Sequence, residues 1–448
     1  MRVQPKIRYV WPLFLVVVQL AAAPVRPPEE HWVATWGAAQ QMLWGENMPG
    51  GGRGPQGSAN AAAQPPAAPP PQAAARGGGD RGRRFPAPPI PAAVNNQTIR
   101  MVARVSLGGS KVRVRLSSAI NTNTVKIGAA HIARRSKDSG IVAGSDRVLT
   151  FGGKPTATLY AGGVLIGDPV SLDLPPLSDV AVSLYFPGDT GFPTVHYFGL
   201  HDTYISKEGD FTAQAAIPDP TITQSYYWLA GIDVVAPADA ATLVAFGDSI
   251  TDGDQSTPNT NGMWPAVLAA RLLANKATAH IGVVNEGISG NQVLGDGGTG
   301  VVRLVHDALT HPGVKWIMLL EGINDISRGS RESPGRPLLT ADDLIAGYQQ
   351  IIEMARMHGV HAIGCTITPY GGRSEYAESV RVAVNQWIRT SGAFYAVVDF
   401  DAATRAPEDP KRFRPEIDSP DGTHPANPGY KMMADSVDLS IFSGSKRK

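Results

Sequence analysis

The sequence predicts an α/β protein in two folded parts: a jelly-roll-like antiparallel β-sandwich, then a three-layer α/β/α domain built on a parallel sheet. Short apolar runs separated by turn residues fill residues 96–238, and apolar runs alternate with amphipathic segments over residues 239–443. Residues 49–95, rich in Pro, Gly and Ala, separate the first strand from the rest of the sandwich. The chain has 448 residues, which exceeds the size of a single hydrophobic core and favours two domains.

The first 23 residues have the layout of a secretory signal peptide. Arg2, Lys6 and Arg8 precede an apolar stretch at residues 9–20, and three alanines follow at 21–23. A membrane anchor is the weaker alternative, because the apolar stretch is well short of the roughly 20 residues that a spanning helix needs. We therefore expect a secreted or periplasmic bacterial protein, with no stable membrane insertion after processing.

The net charge, the single cysteine and the spacing of the histidines give no indication of nucleic acid, a disulfide or a metal. The formal net charge of +1 gives no indication of nucleic acid as a partner. Cys365 is the only cysteine, so no intramolecular disulfide can form, and its apolar surroundings favour a core position over a reactive thiol. His358 and His361 lie three residues apart without a His-Glu-x-x-His motif. We predict no metal site and no cofactor, and the oligomeric state is not indicated.

The N-terminal part begins with a strand and is then interrupted. Residues 24–48 contain the aromatic and β-branched run at 31–36, which predicts a strand. Residues 49–95 cannot bury enough apolar surface to order themselves, so we expect a disordered loop, although its arginines could also contact an anionic polysaccharide. Within the sandwich of residues 96–238, strands are predicted at 99–105, 112–116, 125–132, 148–151, 157–160, 180–186 and 194–198.

The C-terminal part, residues 239–443, alternates strands with helices. Strands are predicted at residues 242–246, 281–284, 316–320, 361–367 and 396–400. Apolar residues recur at helical spacing over 341–358, with Thr340 placed to cap the helix. Such alternation predicts right-handed crossovers and a parallel sheet, whose ligands bind at the carboxyl ends of the strands.

Four short segments of this part supply the groups that ester hydrolysis by a serine nucleophile requires. A serine follows the first strand, a histidine follows a carboxylate by three residues, and a glycine amide and an asparagine can donate to an oxyanion. The segments are Gly247-Asp248-Ser249-Ile250, Gly287-Ile288-Ser289-Gly290, Gly322-Ile323-Asn324-Asp325 and Asp421-Gly422-Thr423-His424-Pro425. Any one of them alone is also an ordinary turn, but the first three follow successive strands of one sheet.

In this order and spacing the four segments resemble the SGNH (GDSL-type) hydrolase family, across roughly residues 239–440. The resemblance implies that Ser249 is the nucleophile, His424 the general base and Asp421 the group that orients the imidazole. It also implies an oxyanion hole made of the backbone N–H groups of Ser249 and Gly290 and the side-chain amide of Asn324.

Neighbouring residues receive structural interpretations. Ile250 stands where the family's short name has Leu, which exchanges one buried aliphatic residue for another. Thr251 excludes the Gly-x-Ser-x-Gly motif of α/β-hydrolases. We expect Asp248 to brace the serine turn, and Glu321 and Asp325 to belong to loop or strand-end structure. Two aromatic residues could line the substrate pocket or fill the core, namely Trp264 and Tyr370.

The leading functional hypothesis is a secreted serine esterase acting on short acyl esters, acetyl esters of carbohydrates foremost. Residues 251–262 and 291–300 are rich in Asp, Gly, Asn, Thr and Gln, which suit a hydroxylated alcohol better than an acyl chain. The substrate would be a small-molecule or polysaccharide ester. Two alternatives stay open: a lipase or lysophospholipase of the same family, and a carbohydrate-binding protein with an inert hydrolase domain.

Overall fold

The computed structural model of the protein describes residues 30–42, 93–119, 123–295, 298–331, 337–371 and 373–443. The predicted signal peptide at 1–23 and the predicted loop at 49–95, except its last three residues, lie outside these ranges. From His31 onward the described residues form one compact unit. Within the described ranges, no helix is both long and apolar enough to cross a membrane.

The N-terminal part, residues 31–238 and hereafter the β-region, consists of antiparallel sheets. Its strands are β1 (Trp32–Gly37), β2 (Gln41–Met42), β3 (Gln97–Arg104), β4 (Gly109–Ser117), β5 (Val125–Ile127), β6 (Ala129–Arg134), β7 (Arg147–Val148), β8 (Ala157–Leu159), β9 (Val164–Ile166), β10 (Val170–Leu174), β11 (Asp179–Phe186), β12 (Thr194–His196), β13 (Thr203–Glu208), β14 (Thr221–Thr223), β15 (Tyr226–Tyr227) and β16 (Leu229–Val235). The strand orders are β1-β16-β4-β10 with β9 beside β4, β14-β13-β3-β11-β6-β7, β15-β12-β2, and β5-β8. The antiparallel prediction is confirmed, whereas the jelly-roll-like sandwich stays a prediction.

Several strands of the β-region were not predicted, and β16 illustrates the reason. Gly231 and Asp233 interrupt its apolar pattern, yet it lies between β1 and β4. The buried Asp233 carboxylate forms ion pairs with Arg113 of β4 at 3.0 Å and with Arg115 of β4 at 3.3 Å. Ion pairing thus stabilises a polar residue at a position where alternation alone argues against a strand.

The C-terminal part contains the predicted parallel sheet. Its strands are β17 (Ala241–Gly247), β18 (Ile281–Gly287), β19 (Val314–Leu320), β20 (His361–Cys365) and β21 (Ala396–Val398), in the order β18-β17-β19-β20-β21. All neighbouring pairs are parallel. The helices are α1 (Ser249–Asp252), α2 (Trp264–Ala274), α3 (Gly300–Leu304), α4 (Ile323–Gly329), α5 (Ala341–Met357), α6 (Glu375–Thr390), α7 (Phe400–Thr404) and α8 (Asn427–Asp435).

Local sequence explains where α5 begins and which side chains enter the core. The Thr340 side chain accepts from the Asp343 N–H and the Asp343 carboxylate accepts from the Thr340 N–H, which forms a capping box. Trp264 is fully buried against Phe400, with ring centroids 5.4 Å apart, so it fills the core. Cys365 is buried as predicted, and this burial raises the pKa of its thiol.

The first strand joins the two parts of the fold. It pairs with β16 on one side and contacts β18 on the other. The Ala34 N–H donates to the Thr242 hydroxyl at 3.0 Å and to the Pro312 carbonyl at 3.0 Å. A Cβ atom on Gly282 of β18 would lie 2.6 Å from the Ala34 carbonyl oxygen, so this contact requires glycine.

Candidate active site

Three of the four sequence segments follow adjacent strands of the parallel sheet. The ends of the strands are in register, with Gly247 of β17 paired with Gly287 of β18 and Leu320 of β19. Ser249, Gly290 and Asn324 therefore follow at the same edge of the sheet, as open α/β sheets place their ligand sites. The fourth segment lies in the loop before α8, and His424 of this segment contacts Ser249.

The serine lies at the start of a single helical turn, α1. The Asp248 side chain accepts a hydrogen bond from the Ile250 N–H at 3.0 Å and caps this turn, which is the bracing role predicted for it. Burial raises the pKa of Asp248 to about 7. A Cβ atom on Gly247 would lie 2.1 Å from the Leu320 carbonyl oxygen of β19 and 2.4 Å from the Thr251 hydroxyl of the turn. Glycine is thus required at the end of β17.

The Asp421 carboxylate is surrounded by hydrogen-bond donors. Its Oδ1 accepts from the Thr423 N–H at 2.8 Å, from the His424 N–H at 3.0 Å and from the Ser419 hydroxyl at 2.9 Å. Its Oδ2 accepts from the Gln255 side chain at 3.1 Å. Burial opposes ionisation, but the hydrogen bonds and the charge of His424 lower the pKa of Asp421 well below its usual range.

The imidazole of His424 lies between the serine and this carboxylate. His424 Nδ1 is 2.7 Å from Asp421 Oδ2, and His424 Nε2 is 2.7 Å from Ser249 Oγ. Because an ionised carboxylate only accepts, Nδ1 carries the proton and Nε2 can accept the proton of the serine hydroxyl. Burial disfavours the imidazolium, but the hydrogen bond to Asp421 and the nearby Asp254 carboxylate raise the pKa of His424.

The backbone N–H groups of Ser249 and Gly290 are candidates for binding a ligand. Within the described residues, neither the Ser249 N–H nor the Gly290 N–H has a hydrogen-bond partner. The Asn324 side chain donates to the Asn291 carbonyl at 2.9 Å, which places its amide beside the Gly290 turn. Gly290 has a φ of +79°, a left-handed conformation that favours glycine. These three donors are the ones that the sequence assigned to the oxyanion.

Buried charged groups hold the loops of the site. Asp325 accepts from the N–H groups of Val293 at 2.9 Å and Leu294 at 2.8 Å, which is the structural role expected of it. Arg303 donates to the carbonyl groups of Gly247 and Glu286, both at 2.8 Å. Arg303 thereby ties the ends of β17 and β18 together.

Two further residues with predicted roles, Glu321 and Tyr370, are both buried. Glu321 is buried 3.8 Å from Arg303, and burial raises the pKa of its carboxyl group to about 8. Tyr370 belongs to the hydrophobic core, and burial raises the pKa of its hydroxyl to about 12. In the described part of the chain, no three His, Cys, Asp or Glu side chains are grouped so that they could hold a metal ion.

Sequence reasoning did not identify Gln255 or Arg303 as parts of the site. Gln255 lies in the polar run after the serine and gave no pattern of its own. Arg303 lies in the short apolar stretch around α3. An arginine among apolar residues was the one feature of the sequence that could have indicated a buried, hydrogen-bonded side chain there. Neither contact could be paired from sequence, because each joins residues far apart in the chain.

Comparison with known proteins locates the family match in the C-terminal part. The family model of GDSL-like lipase/acylhydrolase matches residues 243–437. No curated protein matches the chain. A solved structure of a member of the lipolytic protein G-D-S-L family from Veillonella parvula is 21% identical, covers 46% of this chain and 100% of its own, and has a TM-score of 0.34.

A second solved structure, a catalytic mutant of the acetylxylan esterase Axe2 from Geobacillus stearothermophilus, is 22% identical. The match covers 46% of this chain and 97% of that one, with a TM-score of 0.36. Both matches span less than half of this chain. The family model coincides with the sheet that places Ser249, and the chain therefore carries a GDSL-like lipase/acylhydrolase domain at residues 243–437.

Proposed function

We propose that the protein is a secreted serine esterase that hydrolyses short-chain acyl esters, with acetyl esters of carbohydrates as its substrates. The observation that carries the proposal is the continuous hydrogen-bonded series from Ser249 Oγ through His424 to Asp421, with both links at 2.7 Å. A serine hydroxyl is a poor nucleophile until a base takes its proton, and this series supplies the base. The GDSL-like acylhydrolase family supports hydrolysis of an ester.

The proposed reaction has two halves. Ser249 Oγ attacks the ester carbonyl carbon while His424 Nε2 takes the hydroxyl proton, and His424 then delivers this proton to the departing alcohol. Water next attacks the acyl-serine, His424 takes a proton from that water, and the carboxylic acid leaves as Ser249 recovers its hydrogen. Asp421 keeps the proton on His424 Nδ1 and stabilises the transient imidazolium.

The negative charge that develops on the carbonyl oxygen requires donors. We assign this role to the N–H groups of Ser249 and Gly290 and to the amide of Asn324. Donors fixed before the reaction stabilise the charge without reorganising, and one such donor contributes about 10²- to 10³-fold in turnover. The Asn324 amide carries two N–H donors, so one can keep its bond to the Asn291 carbonyl while the other donates to the oxyanion.

Polar residues around the site favour a hydroxylated alcohol over a lipid. On the histidine side, Arg373 donates to the Thr423 hydroxyl at 3.1 Å. On the oxyanion side, Arg328 donates to Gln292 at 2.5 Å, beside Asn291. Such side chains can bind sugar hydroxyls, whereas a long acyl chain requires apolar lining.

We also propose that the protein is exported and that its β-region and hydrolase domain are separate domains. We infer export from residues 1–23 and a boundary between the β-region and the hydrolase domain near residue 239. A small-molecule or polysaccharide ester is the partner that this function requires.

Hydrolysis of chromogenic acetate esters by the purified protein tests the nucleophile. We expect Ser249→Ala to lower turnover by several orders of magnitude, because loss of a nucleophile removes the whole catalytic unit. Ser436→Ala is a matched control, since that hydroxyl binds the Met433 carbonyl on α8, and it should keep full activity. Retention of more than about a tenth of wild-type turnover by folded Ser249→Ala would contradict the nucleophile assignment.

A series of acyl lengths on one leaving group tests the substrate class. We expect kcat/KM to be highest for acetyl and to fall with length, together with acetate release from acetylated oligosaccharides. A rise beyond about eight carbons, where each buried methylene adds about 0.8 kcal/mol, combined with no acetate release, would support the lipase or lysophospholipase alternative. No hydrolysis of any ester would support a binding protein with an inert hydrolase domain.

A further inference from the structure

A histidine of the β-region contacts the helical turn that begins with Ser249. His196, the last residue of β12, is buried, and its Nε2 lies 3.1 Å from Oδ1 of Asp252. Asp252 is the last residue of α1, three residues after Ser249, and is also buried. The two partners are far apart in sequence and come from different parts of the fold.

The surroundings of His196 require a proton on each side of its ring. Nδ1 lies 2.8 Å from the Ala39 carbonyl oxygen, which only accepts, so Nδ1 carries a proton. Between Nε2 and Asp252 Oδ1 a second proton is needed, on either the imidazole or the carboxyl group. Burial disfavours the imidazolium, but the Asp252 carboxylate raises the pKa of His196. The pair stays hydrogen bonded in both arrangements of that proton.

The other oxygen of Asp252 holds the turn that contains Gly290. Asp252 Oδ2 accepts from the Ser289 N–H at 3.1 Å, and the Asn291 N–H donates to the Ile288 carbonyl at 3.0 Å. The amides on both sides of Gly290 are thus held, whereas the Gly290 N–H has no partner within the described residues. Fixing the two flanking amides fixes the direction of the middle one.

We propose that His196 is a positioning residue for the oxyanion site: it holds Asp252, which through the Ser289 N–H orients the N–H of Gly290. The inference rests on the oxyanion role proposed above for Gly290. The proposal also gives the β-region a part in the reaction. Among the described contacts, the partner of Asp252 Oδ1 is His196, which belongs to the β-region and not to the hydrolase domain.

Other residues of the β-region also contact the segment that follows Ser249. In the segment after α1, the Asn259 N–H donates to the Leu200 carbonyl at 2.8 Å, and the Asn259 side chain accepts from the Asp202 N–H at 3.0 Å. The same segment contains Gln255, which donates to Asp421. Residues of the β-region therefore contact the loop beside the serine at more than one point.

Kinetics of substituted full-length protein test the proposal. We expect His196→Ala to lower kcat by about 10- to 100-fold, as displacement of a reacting group by about 1 Å does, and to change KM by less than about threefold. Asp252→Ala should have the same effect, and the double variant should lose little more than either single variant, because the two residues act in series.

Asp252→Asn separates hydrogen bonding from charge. The asparagine oxygen can accept from the Ser289 N–H, while its NH₂ group donates to Nε2 of a neutral His196. Both links are kept, so we expect kcat within about threefold of wild type. A loss as large as that of Asp252→Ala would overturn the positioning role.

His131→Ala is the matched control. His131 Nδ1 also pairs with an aspartate, Asp146, at 2.8 Å, but both residues lie within the β-region. We expect this variant to keep kcat even if it unfolds at a lower temperature. Equal losses of kcat in His131→Ala and His196→Ala would show a general effect of stability and overturn the proposal, as would a folded His196→Ala with more than about half of wild-type kcat.

A fluorophosphonate probe and hydrogen exchange distinguish this proposal from the proposed function. The probe phosphonylates a serine activated by histidine and uses the same oxyanion donors, so His196→Ala should slow the labelling of Ser249. Amide exchange over residues 287–291 should also be faster in His196→Ala than in wild type. If wild type is neither labelled nor active, the esterase proposal fails, and unchanged exchange would separately overturn the link through Asp252.

Discussion

Two carboxylates lie on different sides of one imidazole, and their positions give them different tasks. Asp421 lies 2.7 Å from His424 Nδ1 and fixes the tautomer. Asp254 Oδ2 lies 4.0 Å from His424 Nε2, on the side that faces Ser249. At this distance Asp254 acts through its charge on the imidazolium rather than through a hydrogen bond to it.

Asp254→Asn is therefore expected to shift the pH dependence of the reaction. The general base must be neutral, so kcat/KM rises with pH through the pKa of His424. Asp254 contributes to raising that pKa, and its neutralisation should move the acid limb to lower pH. The pH profile of kcat/KM measures this, with Asp435→Asn, which removes a charge from the exposed end of α8, as control. A shift to higher pH would contradict the electrostatic role.

Asn324→Ala should act on turnover and leave binding nearly unchanged. An oxyanion donor interacts most strongly in the transition state, so we expect kcat to fall about 10²- to 10³-fold with KM little affected. Asn275→Ala is a control, because the Asn275 side chain accepts from the Ala277 N–H at the end of α2. Normal kcat with a raised KM would place Asn324 in ground-state binding.

At the scale of elements, the parallel sheet could be predicted and the β-region only in part. Each predicted run of the C-terminal part corresponds to one of the strands β17 to β21, because strands buried on both faces are continuous apolar segments. Strands β2, β9, β10 and β13 to β16 were missed, since they are short or contain polar residues such as Asp233. Their stability comes from pairing and ion pairs that no local pattern reveals.

The candidate site divides in the same way. The order of the four short segments indicates a chemistry, so all five proposed site residues could be proposed from the sequence: Ser249, Gly290, Asn324, Asp421 and His424. His196 could not be named, because its contact with the site depends on how the β-region packs. Nothing in the sequence around residue 196 distinguishes it from other histidines in strands.

Removal of the first strand should destabilise the protein. Truncation through Trp36 removes Val33, which is fully buried, and burial of a valine side chain alone contributes about 1.5–3 kcal/mol. It also removes the Ala34 hydrogen bonds to β17 and to Pro312. Thermal unfolding of this truncation, compared with one that begins at residue 30, measures the loss. Equal melting temperatures would show that β1 contributes nothing.

Deletion of residues 50–92 should have the opposite outcome. Their composition predicts no core, and shortening a loop slightly lowers the entropy cost of closing it. We expect the melting temperature and kcat to stay near those of wild type. A large drop in melting temperature would show that this segment packs against the folded part.

At the scale of the whole molecule, the two parts share structure instead of merely adjoining. Ala34 of the first strand belongs to the hydrophobic core of the parallel sheet, while Trp36 packs against Tyr226 of the β-region with ring centroids 4.7 Å apart. The hydrogen-bonded pair of His196 and Asp252 crosses between the same two parts. The first strand and this buried pair are therefore two of the connections between the cores.

This shared structure predicts that the folded chain unfolds in a single cooperative transition. Val114 lies in the core of the β-region and Val244 in the core of the parallel sheet, and both are fully buried. Replacing either by Ala should cost about 1–3 kcal/mol and lower the one melting temperature by a few degrees. Calorimetry of the two variants measures this, because in independent domains each substitution would shift only its own transition. A second transition, displaced in one variant and unchanged in the other, would mean that β1 and the His196 pair do not couple the two cores.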